Sequence, residues 1–524
     1  MSSLITTPTP NRASRRSHAR RGGAVGAGAL LVTGSAAALL TAFAGSAGAT
    51  ATITVDSNAD GIADATHCTD LTAGNCTLRD AALAAIDGDT ITFDASISLI
   101  TLTNGTIGTD AVNIVGPGAS SLTITTTAAP DSYDTFLVSG TGDAVISGLT
   151  ITKNRIKSQN TGTFTLDGVT ISGSSGGYGG ALYAANTDET LIIDSSFENN
   201  TSTHDGGAIY IYNGQDATIS GSTFTNNHAD GNGGALYAAW SNNITITDCT
   251  ITGNSAHDGG GLALYPSYVG AVISISDTTI DANVADHWGG GLNVEASGAL
   301  IVNITNSTVS NNSAVASGGI LLNDTDITAT INNSTISANA ATLYGGGGIY
   351  INDGSSLTIN QSTISANSAA GTIAKYGGGG IAIGDNTSVV TMTGTIVSGN
   401  FSGFAGAADF GLYSSTLSDT ASFTATNSLI GEVDPRITAN GTNNVNSTNP
   451  MLGALADNGG RTKTMALLTG SPAIDVGPNP VATFTGNQYD QRGAGFARVV
   501  GGLVDIGAFE IQQSSEPIAP SFTG

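Results

Sequence analysis

The stretch Gly206–Asn227 reads GGAIYIYNGQDATISGSTFTNN, and from Gly233 nearly the same sentence begins again as GGALYAAWSNNITITDCTITGN. Aligned on the glycine pair, eight such units follow one another. Their next aliphatic residue falls at Leu182, Ile209, Leu236, Leu262, Leu292, Ile320, Ile349 and Ile381, at steps of 26 to 32 residues. Each unit closes its second apolar run with [FIV]xxN, which places an asparagine at Asn200, Asn227, Asn254, Asn283, Asn312, Asn339, Asn367 and Asn400. The runs are short, β-branched and alternating, as in ITITDCTI, and no unit holds the ten residues of helical periodicity that a βαβ array needs. A period of about 28 residues with two or three strands fits one coil of a right-handed parallel β-helix, an all-β solenoid. One coil cannot bury its own apolar face, but a stack can. Each strand then pairs with its copy one coil away, about 4.8 Å distant. The eight asparagines form a structural ladder in which each amide bonds the next.

The pattern sets the organisation. Residues 89–178 carry degenerate coils without the glycine pair and residues 179–439 the regular ones, about twelve coils together. TLRDAALAAI, Thr77–Ile86, is the best helix candidate, a short N-terminal cap over the open end of the first coil within residues 50–88. Residues 440–511 break the period and are expected to form a module capping the far end; residues 512–524 read as a disordered tail.

Residues 1–49 read as a signal peptide. Five arginines, Arg12, Arg15, Arg16, Arg20 and Arg21, precede a small-residue apolar run and an AGA cleavage site at Ala47–Ala49. The chain carries 15 Lys+Arg against 40 Asp+Glu, so removing that segment leaves 10 against 40. Nucleic acid, an anionic membrane and a polyuronate would all be repelled. No later segment is apolar enough to span a membrane, so the mature chain is expected to be secreted, possible surface association included. In an exported protein Cys68 and Cys76, eight apart, read as a local disulfide. Cys249 takes a slot held elsewhere by Ser195, Ser222, Thr278, Ser307, Ser334 and Ser362, and reads as a small buried filler.

GGAI at Gly206–Ile209 with FTNN at Phe224–Asn227 resembles the repeats of chlamydial polymorphic outer membrane proteins, which are surface adhesins. CTLRDA at Cys76–Ala81 resembles the N-terminal CSLREA domain of secreted bacterial β-helix proteins. NPMLGALADNGGRTKTMALLTGSPAID (Asn449–Asp475), DQRG (Asp490–Gly493) and DIGAFE (Asp505–Glu510) resemble the choice-of-anchor Q domain. These resemblances imply a secreted surface β-helix and name no ligand.

Sites for chemistry are sparse. Between Ser158 and Ala374 there are 17 Asp+Glu and no Lys or Arg, which is hostile to lyase chemistry on acidic glycans. Columns such as Asp194, Asp248 and Asp277, or Asp205, Asp258 and Asp286, supply carboxylate spacings trivially and single out no catalytic pair. His204, His257 and His287 precede the glycine turn, with His228, Asp230 and the turn aspartates nearby. Equivalent residues two coils apart are about 9.6 Å apart, too far to share an ion. No metal site and no cofactor is therefore expected beyond weak Ca²⁺ at the acidic turns. The preferred ligand-binding residues are Tyr183, Tyr210 and Tyr237, with Tyr350 repeating the position later. Alternation points them outward on consecutive coils, where they can stack on a sugar or a protein partner, or on one another. The reading is an adhesion or binding module for a glycan or protein partner; the alternative is a secreted enzyme acting on a neutral glycan.

Overall fold

A computed structural model describes residues 50–68, 75–127, 129, 133–371, 377–403, 408–413 and 419–512. The expected signal peptide, and all but the first residue of the expected tail, lie outside the described residues.

The coil beginning at Gly206 shows how the sequence becomes structure. Ile209–Tyr212, Asp216–Ser220, Thr223–Thr225 and His228–Ala229 are its four strands. Each pairs in parallel with the same position one coil on, as in Ile209↔Leu236 and Phe224↔Ile251. Repeated along the chain, this gives a parallel β-solenoid of about 11 turns. Among the described residues one sheet, called I here, has 15 strands from Thr52–Val55 to Ile437–Thr442. Sheet II has 12, from Ile107–Thr109 to Phe410–Leu412. Sheet III carries the remaining parallel strands, including Thr223–Thr225 and His228–Ala229. Inward residues of all three form one continuous apolar core from Val55 to Ile437. Stacking inside it is close: the rings of Phe197 and Phe224 lie 4.9 Å apart and 7° from parallel.

The corners are built from polar columns. Ladder asparagines Asn200 to Asn367 are fully buried. Asn227 Nδ2 donates to Asn254 Oδ1 at 2.9 Å and to the Phe197 carbonyl at 3.0 Å. Its Oδ1 accepts from both the backbone N–H and Nδ2 of Asn200. The residue before each ladder asparagine, from Asn199 to Gly399, adopts φ between 53° and 75°. Three of these are alanines, Ala282, Ala338 and Ala366, in a region that costs an L-residue about 1–2 kcal/mol; the ladder holds them there. The run ends on a carboxylate, since Asn400 donates from N and Nδ2 to Asp409 Oδ1. Burial pushes the Asp409 carboxyl above its ordinary range against these bonds.

A second column occupies the preceding corner. Ser195 N–H donates to Ser222 Oγ at 3.0 Å, and Cys249, Thr278, Ser307, Ser334, Ser362, Thr395 and Ser428 continue the line. Each is again preceded by a left-handed residue, such as Asp194, Asp248 or Asn306. Cys249 is therefore more than filler. Its Sγ donates to the Thr247 carbonyl at 3.2 Å, and burial pushes the thiol up to about 12. At the third corner the glycine pair is obligatory. Gly206 has φ 70°, and a Cβ on Gly207 would meet the Gly234 carbonyl.

At the N-terminal end the solenoid begins earlier than expected, because Thr52–Val55 already pairs with Thr90–Phe93. Helix α1, Leu78–Ala84, starts on a Thr77/Asp80 capping box and buries Leu78, Ala81 and Ala82 against the core. Arg79 fixes it, pairing with Asp60 at 2.7 Å and donating to the Gly105 and Thr106 carbonyls. Cys68 and Cys76 are joined.

The C-terminal segment does not cap the far end, and the expectation that it would is corrected here. In the last sheet I strand every residue after Ile437, Thr438–Thr442, is exposed. Residues 450–511 instead lie along the outer face of sheet III. Thr308 Oγ1 donates to the Lys463 carbonyl, Thr335 Oγ1 to Gln491 Oε1, and the Ala508 N–H to Thr363 Oγ1. The outward column explains the docking. It reads Ser196, Thr223, Thr250, Thr279, Thr308, Thr335 and Thr363, then turns apolar at Ile396 and Leu429. Those two form a separate cluster with Leu467, Ala473 and Ile506. Under the module Thr308, Thr335 and Thr363 are buried and use their hydroxyls to bond it, while the last two positions carry hydrocarbon.

The module's own core is ionic. Arg498 is fully buried and donates to the Gly507 carbonyl and to Asn333 Oδ1 of the solenoid. Arg492 pairs with Asp490 at 2.6 Å between the rings of Phe496 and Phe509. Burial, helped by the Asp505 charge, pushes Glu510 up to about 8 from 4.5, against the Asp505 N–H and Arg498. The unfolded chain loses this proton first, so the stability linked to Glu510 is full below about pH 4.5 and is lost as pH rises through about 8. Glu510→Gln keeps an acceptor for the Asp505 N–H. Thermal melts across this window should show the variant matching the parent near pH 4.5, exceeding it above pH 8, and depending less steeply on pH.

Candidate binding face

The outer face of sheet II concentrates the aromatic residues. Register places Lys157, Tyr183, Tyr210, Tyr237, Ala263, Asn293, Leu321 and Tyr350 in one column. Alternation keeps Leu182, Ile209 and Leu236 inside. Tyr183 and Tyr210 stack at 5.4 Å and 16°, and Tyr210 and Tyr237 at 5.3 Å and 6°. Tyr265 then meets Tyr237 edge-on at 5.4 Å. Lys157 Nζ lies 5.1 Å from the Tyr183 ring centre.

The stack is in register, yet its ring faces cover one another. Tyr210 is only 8% exposed and Tyr350 7%, while Tyr183 and Tyr237 are half-buried. A sugar cannot enter between rings already 5.3 Å apart. The faces a ligand would meet belong to flanking residues that sequence reasoning passed over. Tyr178, from the glycine turn, and Tyr212, two residues beyond Tyr210, are each 39% exposed. Tyr212 was within reach of the same alternation argument. Burial raises the Tyr210, Tyr237, Tyr265 and Tyr350 hydroxyls well above the usual phenol range.

Between Ala263 and Leu321 the column holds one polar residue. Asn293, fully buried in the tyrosine position of its coil, donates from Nδ2 to Tyr265 Oη at 2.7 Å, and its Oδ1 has no partner among the described residues. Glu295, two residues on, is raised by burial and then by the Asp258 and Asp324 charges, against an Asn293 hydrogen bond.

The carboxylate columns take up structural positions. Asp194, Asp248 and Asp277 are the left-handed corner residues, and Asp248 pairs with Arg461 of the C-terminal module. Asp205 accepts from the Asn232 N–H at 2.8 Å and is raised by burial. Asp286 lies in the strand Val284–Trp288. A shallow groove on sheet I brings Glu189 beside Asp216, its partner in register. Burial and then the Asp216 charge raise Glu189, while Asn243 donates to Asp216. The histidines separate into pairs. His204 stacks on Tyr178, and His228 pairs with Asp230. His257 and His287 sit on neighbouring coils with ring centres 5.2 Å apart, so the two-coil separation expected from sequence does not apply to them.

Among the described residues no helix is long and apolar enough to cross a membrane. Residues 54–228, 156–336 and 273–430 each match the profile of the right handed beta helix region, and these overlapping stretches span well over half the chain. The chain belongs to the right-handed β-helix family. No curated protein matches it.

Tyr265→Phe removes the acceptor of the buried Asn293 amide. Thermal or denaturant unfolding should show a loss of about 1–3 kcal/mol. Tyr212→Phe, at a half-exposed ring, should stay within about 0.5 kcal/mol of the parent.

Proposed function

We propose that the chain is a secreted or surface-associated binding module that engages a neutral glycan or a protein partner through the aromatic face of sheet II. The observation that carries this reading is the run of in-register tyrosines flanked by exposed Tyr178 and Tyr212. The sequence from Ser158 to Ala374 lacks Lys and Arg, and the cations at the Tyr183 end of the stack are Lys157 and Arg155, the latter paired with Asp134. A single ammonium and a guanidinium already held by Asp134 and the Tyr178 carbonyl offer no bidentate grip on phosphate, sulfate or uronate. Surface Ser, Thr and Asn exchange water for ligand at little net gain. Tyrosine combines a rigid apolar face with a polar tip, which suits a sugar ring or a protein surface. The signal-like first 49 residues, the bonded Cys68–Cys76 pair and the resemblance to CSLREA, chlamydial adhesin repeats and choice-of-anchor Q domains favour export and surface retention.

A second reading rests on Glu189 and Asp216. A carboxyl raised by burial next to a second carboxyl that accepts an amide hydrogen bond resembles the pairing a glycosidase needs. One experiment separates the two: a panel of neutral polysaccharides scored for binding and for new reducing ends. The binding reading expects retention without cleavage, little change with salt, and loss of retention in Tyr178→Ser/Tyr212→Ser, with Tyr183→Ser/Tyr237→Ser weaker as well. New reducing ends that vanish in Glu189→Gln would overturn it in favour of the enzyme.

A further inference from the structure

We infer that His257, Asp258 and His287 form a binding site for one divalent transition-metal ion of the Zn²⁺ class. One ligand atom from each of the three lies within 4.8 Å of the other two. His287 Nδ1 and Asp258 Oδ1 are 3.2 Å apart, close to the separation of two donors that share a tetrahedral ion at about 2.0–2.1 Å each. Closing the remaining gap requires the exposed His257 ring to turn toward the other two donors.

The convergence comes from a local departure in the repeat. Between the ladder asparagine and the glycine turn, the Asn254 coil has the four residues SAHD and the Asn283 coil the five residues VADHW. Pairing is regular at Ser255↔Val284 and Ala256↔Ala285, then slips so that Asp258 opposes Trp288. The bulge brings His287 beside His257, with the rings 5.2 Å apart and 21° from parallel. The surroundings orient the donors. The Trp288 N–H donates to Asp258 Oδ1 at 2.9 Å, and the indole stacks on the His287 ring at 4.8 Å. Backbone bonds hold the base of the site, from His257 N–H to the Gly231 carbonyl and from Gly259 N–H to the Trp288 carbonyl.

Two imidazoles and one carboxylate select Zn²⁺, Co²⁺, Ni²⁺ or Cu²⁺ over Ca²⁺ and Mg²⁺, which prefer all-oxygen shells. Three protein donors leave at least one position to water or to a donor from a bound molecule. Asp258 and His287 are 19% and 45% exposed, so that position faces solvent. The site stands independently of the proposed glycan or protein binding.

Calorimetry of the mature chain with ZnCl₂ in chelator-free buffer should give one ion per chain, undisturbed by excess Ca²⁺. His257→Ala, His287→Ala and Asp258→Asn should each weaken it by about tenfold or more, whereas His228→Ala should not. Asp258→Asn keeps the acceptor for the Trp288 N–H, and His257→Ala alters only an exposed ring, so a loss of fold does not explain their effect. With Trp240→Phe leaving Trp288 as the sole tryptophan, Co²⁺ should quench its fluorescence, and quenching should disappear in His257→Ala. The absence of saturable Zn²⁺ uptake, uptake unchanged by the three substitutions, or equal displacement by Ca²⁺ would overturn the inference.

Discussion

At every corner of a β-solenoid the chain leaves the sheet, and its amides lose their regular partners while still buried. Here the vacancy is filled by side chains of the neighbouring coil. Asn227 and Asn254 each take two hydrogen bonds from the coil before, and their amides give two and three to flanking groups. The Ser/Thr/Cys column answers the same need one corner earlier. Unmade buried bonds of this kind cost about 1–3 kcal/mol each, so the two columns fix where each coil turns. They also fix what precedes the turn, a left-handed residue at both corners, whether asparagine, glycine, aspartate, glutamine or alanine.

Register follows from the columns, and surface chemistry follows from register. Coils differ in length, but the extra residues collect at the third corner or in the loop before sheet I, as in VADHW and PSYVG. Equivalent positions therefore stay above one another. Tyrosine in one position becomes a stack, threonine in another becomes a hydroxyl stripe, and Ile396 and Leu429 in that stripe become the docking ground for residues 450–511. Where the third corner gains a residue, stacking is broken locally and His287 swings beside His257.

Much of this was legible in the sequence because repetition is a form of measurement. Eight asparagines at one position announced a ladder, and the run TLRDAALAAI announced a helix. The serine, threonine and cysteine column was visible too, but a small residue at a corner reads as filler until its acceptor role is seen. The C-terminal docking was hidden because it joins a non-repeating segment to the solenoid through Gln491, Arg498 and Asn333, whose pairing no period encodes. In the candidate face, alternation gave the outward direction of Tyr183, Tyr210 and Tyr237. It could not give their mutual burial, which depends on ring stacking at 5.3–5.4 Å. Asn293 went unnoticed although it falls in the tyrosine position, because the search followed residue type and not position.

The ladder is the claim on which the remainder rests, and unfolding of Asn283→Ala tests it most directly. Asn283 Oδ1 accepts from both N and Nδ2 of Asn254, and its Nδ2 donates to Asn312 Oδ1 and the Ile251 carbonyl. Truncation strands these groups in a site that is fully buried. Denaturant unfolding should show a loss of about 3 kcal/mol or more, far above the change of about 0.5 kcal/mol expected for a surface substitution that removes no such contact. Equal stability of Asn283→Ala and the parent chain would contradict the account.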